Sequence, residues 1–451
     1  MVKSANSEIY ELINSITDES SFVEMLTLVQ GKSSLSEPSG EGVVSGFATI
    51  NDVQVGVFAN DFSVMSGSIG KKSAKKISKC IEDSIKMNIP VIGIFDTSGA
   101  RFGEGIKAME GYGEIFKNIN RAYGVVPTIM VVKGNNFGMT SYLTSCCDCC
   151  IAFENARIST ASPLILAATS KIDQAKVGTV EVHSASSGLI SLIVKDGDEL
   201  RNKIISVLGY LLEPIVESDD DANRVCATLN ADSKIDEIIS EVFDKDSFVE
   251  FKSKYAKEVV VGFARLNGIS VGVVANNGEV SLRLTARGAR KISDFMTTCI
   301  SYGLPIVNLV NCEGAEVNLD SENDSIIRDI SDMLYCYNIC SNAKISVIVG
   351  KAVGLGYVAF ASKRSFDYTI AWESAYIAML DSKATANLLY ADEIANAKDK
   401  AKAEEEFATA YAEENASATV VAESGYLDNV ILPSLTRQYL IAAVMMYGAK
   451  R

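Results

Sequence analysis

The chain carries few of the side chains that usually perform catalysis, and two glycine turns that could perform it with backbone instead. Its only histidine is His183, and no G-x-S-x-G elbow, Walker loop or H-E-x-x-H motif occurs. Two segments join an apolar run to a glycine turn: Gly134-Asn-Asn-Phe-Gly138-Met139 and Gly350-Lys-Ala-Val-Gly354-Leu355-Gly356. Each turn is expected to open a helix, whose first N–H groups have no partner inside the helix. Two such donors at one point, reinforced by the helix dipole, form an oxyanion hole. That device suits a reaction whose costly species is an enolate, and glycine lets a ligand approach the backbone closely. For one turn, packing of helix on strand would be the better reading. Two at matched positions weigh the chemical reading as heavily.

They match because the chain contains itself twice. Gly46-Phe-Ala-Thr-Ile-Asn-Asp-Val-Gln-Val-Gly-Val-Phe-Ala-Asn60 returns at Gly262–Asn276 with nine of fifteen residues identical. Lys76-Ile-Ser78 answers Lys291-Ile-Ser293, Pro90 answers Pro305, and Ser21-Phe-Val-Glu24 answers Ser247-Phe-Val-Glu250. A period this long implies two homologous domains rather than a solenoid. The boundary is expected in the Asp-, Asn- and Ala-rich stretch Asp219–Lys234, giving domains 1–225 and 226–451.

Composition bounds the partners. The 451 residues are 48% hydrophobic and 22% charged, with a net charge of −15. That is globular, and the wrong sign for nucleic acid, which needs a basic surface. Nothing in Met1–Glu8 resembles a secretory h-region and no apolar run spans a membrane, so a cytoplasmic protein is expected. Of ten cysteines, four lie in Cys146-Cys-Asp-Cys-Cys150. Without a second pair or flanking turn glycines this is a poor zinc site; Cys149 and Cys150 with Ile151–Phe153 read as a buried strand. No metal is expected.

The elements that must position the turns alternate strand and helix, as in an α/β fold. Val43–Val44, Phe47–Ile50 and Val53–Ala59 read as strands with Asn51-Asp52 as the hairpin turn, and Asn267-Gly268 repeats it. Lys71–Lys86 and Glu104–Ala122 read as helices, Pro90–Asp96 and Val126–Val132 as buried strands, and Thr97–Arg101 as a turn. The second half repeats this at Leu304–Val310, Asn311–Gly314, Asp329–Cys340 and Ile345–Val349, and Lys398–Glu414 reads as an exposed helix.

Gly42-Val-Val-Ser-Gly-Phe-Ala48, Phe58–Gly70, Asp96-Thr-Ser-Gly-Ala-Arg-Phe-Gly-Glu-Gly105, Gly111-Tyr-Gly-Glu-Ile-Phe116, Val259–Arg265 and Gly425–Pro433 followed by Thr436-Arg437 resemble, in order, the carboxyltransferase subunits of biotin-dependent acyl-CoA carboxylases and decarboxylases. The resemblance implies two crotonase-like (ββα spiral) domains. The N-terminal one would take acyl-CoA and the C-terminal one of a partner subunit carboxybiotin, across a dimer interface. It places the thioester hole on the amides of Gly138 and Met139, and the biotin hole on Leu355 and Gly356. Gly99, Ala100, Arg101 and Gly134 would border CoA; Gly314 and Gly354 would border biotin. Val358 stands where the family sets acyl selectivity, and an apolar residue there resembles the transcarboxylases and sodium-pumping decarboxylases.

The resemblance further implies that decarboxylated biotin, not a protein base, takes the substrate's α-proton. His183, which matches a family histidine, would then be structural. Expected partners are a biotin carboxyl carrier protein and a biotin carboxylase or membrane decarboxylase subunit, with the chain itself a homodimer or trimer of dimers. Two departures stand out. Cys312-Glu-Gly-Ala-Glu316 replaces a Pro-Gly-Phe-rich loop and brings two carboxylates to the biotin side, and Asn135-Asn136 replaces Pro and a small residue. One alternative is a non-catalytic scaffold paralogue. A biotin-independent hydrolase or isomerase would need a carboxylate at the first hole, and the candidates Glu104 and Glu110 are expected to face solvent.

Overall fold

A computed structural model describes residues 8–29, 41–170 and 173–448; the reading of the extreme N-terminus as free of a leader falls largely outside them. The chain divides into two compact units, Met1–Leu212 and Glu213–Arg451. The expected boundary after residue 225 lies inside the second, where Cys226 is part of the hydrophobic core. Among the described residues no helix is long and apolar enough to cross a membrane.

Each unit is built on an eight-stranded sheet. In the first the strands are β1 (Val23–Glu24), β2 (Val43–Ile50), β3 (Val53–Asn60), β4 (Val91–Thr97), β5 (Thr128–Phe137), β6 (Cys149–Phe153), β7 (Arg157–Ser159) and β8 (Leu192–Val194). The second has β9 (Val249–Phe251), β10 (Val259–Leu266), β11 (Ile269–Asn276), β12 (Ile306–Cys312), β13 (Lys344–Val353), β14 (Tyr368–Trp372), β15 (Tyr376–Ala378) and β16 (Asn429–Ile431). The orders are β1-β2-β3-β4-β5-β6-β8 with β7 on β5, and β9-β10-β11-β12-β13-β14-β16 with β15 on β13. The second order repeats the first strand for strand, as a duplicated sequence requires.

Local chemistry explains the repeats. Asn51 and Asp52, like Asn267 and Gly268, take positive φ, the backbone of the tight turn whose twist suits a hairpin. A carboxylate caps each turn: Asp18 accepts the Asn51 and Asp52 N–H groups at 2.9 and 3.0 Å, and Asp244 those of Asn267 and Gly268 at 2.9 and 2.7 Å. Arg201 pairs with Asp18 at 2.6 Å and Arg437 with Asp244 at 2.7 Å. The crossover helices Lys71–Met87 and Ala286–Ser301 bury Ile77 and Ile292 on their sheets, and each buries a lysine, Lys76 or Lys291, at the same step. Lys291 donates to the Tyr255 and Val259 carbonyls at 2.9 and 2.6 Å.

The expected buried cysteines form β6, with Cys149 and Cys150 inside. The expected exposed helix runs Lys400–Tyr411, followed by a wider turn over Ala412–Ala416. Stretch 219–234 is not a linker: Arg224 and Arg437 tie it to the carbonyls and carboxylates of Glu241, Val242 and Asp244.

Candidate functional site

Gly134 and Gly350 were expected to begin the turns. They lie instead within strands, because β5 and β13 continue past them through a bulge. Pairing of β4 with β5 steps from Phe95↔Val132 to Thr97↔Asn136, and pairing of β12 with β13 from Val310↔Ile348 to Cys312↔Ala352. One side chain fills each bulge: Asp96 Oδ1 accepts the Asn135 N–H at 3.0 Å, and Asn311 Oδ1 the Lys351 N–H at 3.0 Å. A Cβ at Gly134 would lie 2.5 Å from the Asp96 carboxylate, and one at Gly350 2.6 Å from Asn311 Oδ1. These glycines are therefore required by the bulge. Burial holds the Asp96 carboxyl above its ordinary value. Since asparagine does the same work in the second unit, charge is not what the position needs.

The chain turns at Gly138 and Gly354, with φ of +72° and +52°, and enters the short helices Thr140–Leu143 and Leu355–Phe360. The Gly138 amide, expected to be one donor of the first hole, is not free: it donates to the Ser159 carbonyl at 3.0 Å. Gly354 does the same toward Ala378 at 2.9 Å. The bond anchors the turn and leaves the next donors outward. Among the described residues no partner meets the N–H of Met139 or Thr140 in the first unit, or of Leu355 or Gly356 in the second.

A second loop contributes a further donor in each unit. Gly99 (φ +102°) and Gly314 (φ +101°) follow β4 and β12. The Gly99 N–H is held by Thr97 Oγ1 at 3.0 Å, and the Gly314 N–H by Cys312 Sγ at 3.4 Å. Ala100 bridges Ile69 and Ala315 bridges Leu284, so the flanking groups are bonded while the Ala100 and Ala315 N–H groups find no partner among the described residues. In the first unit the loop and the turn adjoin, since a Cβ at Gly99 would sit 2.8 Å from the Phe137 carbonyl. In the second, a Cβ at Gly356 would sit 2.3 Å from the Cys312 carbonyl. Each unit thus carries unpaired amides on two neighbouring loops, which can stabilise an oxyanion.

The surrounding charges differ. Arg101 was expected to border CoA, yet its guanidinium is spent inside the protein. It pairs with Glu41 at 2.5 Å and Glu104 at 3.0 Å and donates to the Glu41 and Ser68 carbonyls at 3.0 and 2.9 Å, only 8% exposed. Glu104 does not face open solvent: its other oxygen accepts the Lys71 N–H at 2.7 Å, capping the helix Lys71–Met87. Glu110 is exposed.

In the second unit one of the two carboxylates of the acidic loop is neutralised and the other is hydrogen-bonded. Glu313 pairs with Lys351 at 2.5 Å and with Arg283 at 4.0 Å, and Glu316 accepts from the Ser321 hydroxyl. Cys312 is buried, which pushes its thiol up to about 11. Val358 stands 55% exposed on the helix Leu355–Phe360. Ala315 and Thr140 were missed from sequence; aligning Ala100 with its duplicate would have drawn attention to Ala315.

Both ring nitrogens of His183 are engaged within the protein. Its Nε2 lies 2.7 Å from the Ile158 carbonyl of β7 and its Nδ1 2.9 Å from Ser187 Oγ. Among the described residues no group of three or more His, Cys, Asp or Glu converges as a metal site would.

Comparison with known proteins shows the family and the fold. The profile of the carboxyl transferase domain family matches residues 4–451. The carboxyltransferase subunit of propionyl-CoA carboxylase from Haloferax mediterranei is 33% identical over 435 residues, covering 91% of this chain and 84% of that protein. Methylmalonyl-CoA decarboxylase subunit alpha of Veillonella parvula is 32% identical over 468 residues, covering 98% and 90%. A crystal structure of transcarboxylase 12S, a hexamer with methylmalonyl-CoA and methylmalonic acid bound, superposes with a TM-score of 0.93 at 30% identity over 98% of this chain and 89% of that one. Its likeness identifies the two similar α/β units as an internal duplication of a crotonase-related carboxyltransferase fold.

Proposed function

Because the chain belongs to the carboxyl transferase domain family, we propose that its two units divide one reaction, the first binding an acyl-CoA thioester and the second biotin. It is a biotin-dependent carboxyltransferase, moving a carboxyl group between biotin and an acyl-CoA. The observation that supports two holes is the recurrence of unpaired amides on matched loops, Ala100 with Met139 and Thr140, Ala315 with Leu355 and Gly356, and the family resemblance assigns the first to the thioester.

In the first unit the Ala100 and Met139 amides donate to the thioester oxygen and gain strength as that oxygen takes on enolate charge. Their contribution is differential, because they bond the developing anion better than the neutral carbonyl. No water or side chain need reorganise, since bulge and turn fix the donors beforehand. In the second unit the residues fit biotin's ureido oxygen: Ala315, Leu355 and Gly356 offer the N–H groups, Gly356 lets its turn pack directly on the Cys312 carbonyl, and Lys351 keeps Glu313 from repelling an anion. Biotin, when bound, supplies the carboxyl group and, once free of it, a base for the α-proton. Arg101, with Glu41 and Glu104, holds the loop bearing Ala100 rather than touching CoA.

The apolar Val358 supports a short malonyl-type thioester run toward decarboxylation, as in the Veillonella relative's name. Biotin would arrive on a carrier protein charged by a biotin carboxylase or discharged by a membrane subunit. The active site would form between the first unit of one copy and the second of another, in a cytoplasmic homodimer or trimer of dimers.

The rival reading is a scaffold that keeps the fold without ligands. Calorimetric titration separates the two. Propionyl-CoA and biotin should each bind, without competing. A protein that binds neither is a scaffold.

A further inference from the structure

The only histidine of the chain supports one of the two holes and has no counterpart at the other. β7 is a three-residue edge strand paired on one side with β5, through Asn135↔Arg157, Asn136↔Ile158 and Phe137↔Ser159. An edge strand leaves backbone groups without a ladder partner. Here the Ile158 N–H donates to the Gly178 carbonyl at 2.8 Å, and the Ile158 carbonyl accepts from His183 Nε2 at 2.7 Å. One residue later, the Ser159 carbonyl takes the Gly138 N–H at 3.0 Å. That bond fixes the turn from which Met139 and Thr140 present their amides. The imidazole does for β7 what a further strand would do, and pins the peptide plane that leads into Ser159.

The second unit repeats the frame without the imidazole. Thr179 bridges Arg157 and N-caps the helix Val180–Ala185; Ser417 bridges Tyr376 and N-caps the helix Ala418–Glu423. Counted from those caps, His183 corresponds to Val421. The Ala378 carbonyl still anchors Gly354 there, at 2.9 Å.

We propose that His183 is a positioning residue specific to the thioester half, holding Ile158 so that Ser159 keeps Gly138 turned and the Met139 amide aimed outward. With Nε2 facing a carbonyl, which can only accept, the ring carries its proton on Nε2, and Nδ1 meets the Ser187 hydroxyl. The inference rests on the assignment of the first unit to the thioester.

Two variants separate positioning from bulk. In His183→Gln the amide nitrogen replaces Nε2 and reaches Ile158. His183→Asn is shorter: it places its amide near the Nδ1 position, toward Ser187, and falls short of Ile158. Each protein is assayed for decarboxylation of methylmalonyl-CoA with free biotin. Each is also examined by isotope-edited infrared spectroscopy of bound propionyl-CoA, whose thioester C=O stretch falls when the carbonyl is hydrogen-bonded. His183→Gln should keep the lowered stretch and kcat within about threefold. His183→Asn should lose the lowered stretch and about ten- to a hundredfold in kcat, with KM for the thioester nearly unchanged, as expected for a donor moved by a fraction of its bond length. If the two variants behave alike, both native or both impaired, the positioning role is wrong. If the native protein itself shows neither turnover nor a lowered stretch, the assignment of the thioester site fails instead.

Discussion

The Gly138 N–H is bonded to the Ser159 carbonyl at 3.0 Å, so an amide that the family resemblance assigned to the hole is the anchor of the turn. The donors follow it. Met139 has φ −61° and ψ −26°, a backbone that proline adopts without strain. Met139→Pro therefore deletes one N–H without straining residue 139, and also removes a side chain packed against the first unit's core. Relative to Met139→Ala, which loses the same packing but keeps the N–H, steady-state kinetics should show kcat lowered by about 10²–10³, the size seen when one oxyanion donor is removed. Leu355→Pro, at the first helical position where proline is tolerated, should do the same through the biotin half.

Asn136 is fully buried in β5, and both atoms of its amide lack a partner among the described residues. Ala352 occupies the matching position, paired with Cys312 as Asn136 is with Thr97. An unsatisfied buried polar group costs about 1–3 kcal/mol. Asn136→Ala should thus raise the stability of the first unit by about 1 kcal/mol in urea unfolding. A loss of stability would contradict this, because the cavity left in a fully buried site would then outweigh the relief of the unpaired amide.

The turn-capping ion pairs should differ in weight. Arg437 is fully buried against Asp244, whereas Arg201 and Asp18 are each about a quarter exposed. Burial by itself would raise the Asp244 carboxyl, but the Gly268 N–H, Arg437 and the Asn267 N–H outweigh it and hold the group below its usual range. Arg437→Met leaves that carboxylate buried and unpaired and should cost about 3–5 kcal/mol. Arg201→Met should cost about 1 kcal/mol, since water replaces the lost partner. Urea midpoints with unchanged slopes would measure both.

Lys291 sets a pH dependence of stability. Burial depresses its ammonium to about 8 from an ordinary 10.5, against the pull of Glu250 and Glu258. Below pH 8 both folded and unfolded chains carry this proton, and burial of the charge costs stability in full. Between about 8 and 10.5 the unfolded chain holds more protons, so this group's contribution to stability rises with pH. The slope is at most about 1.4 kcal/mol per pH unit. Buried thiols act in the opposite sense above pH 9, because their folded values are raised; Cys312 at about 11 is one. The comparison is therefore native against Lys291→Met, and the native protein should gain relative to the variant across that window.

The duplication made much of this legible from sequence. Glycine and asparagine at the hairpin turns, apolar runs for β4 and β12 and the lysine-bearing helices all follow from local rules that hold twice. What was hidden depends on contacts distant in sequence. Val132 was read as the end of its strand because Gly134 looked like a turn. Only the Asp96 side chain, 39 residues from Asn135, explains why the strand bulges and continues to Phe137. Arg101 was expected to border CoA, and its pairing with Glu41 and Glu104 depends on contacts that its sequence neighbourhood only half reveals. The carboxylates of Glu313 and Glu316 looked hostile to biotin; Lys351 and Arg283 offset the charge of Glu313, and Glu316 is tied to the Ser321 hydroxyl. Arg437 was visible only as part of a likeness, since nothing near it in sequence hints at Asp244.

The central claim, that two amide holes serve a thioester and biotin in one reaction, is tested most directly by the initial rate of methylmalonyl-CoA decarboxylation as free biotin is varied. The account predicts a rate that needs both compounds and saturates in each, with Met139→Pro and Leu355→Pro each abolishing most of it. No turnover with methylmalonyl- or malonyl-CoA at any biotin concentration, or a rate indifferent to biotin, would contradict it.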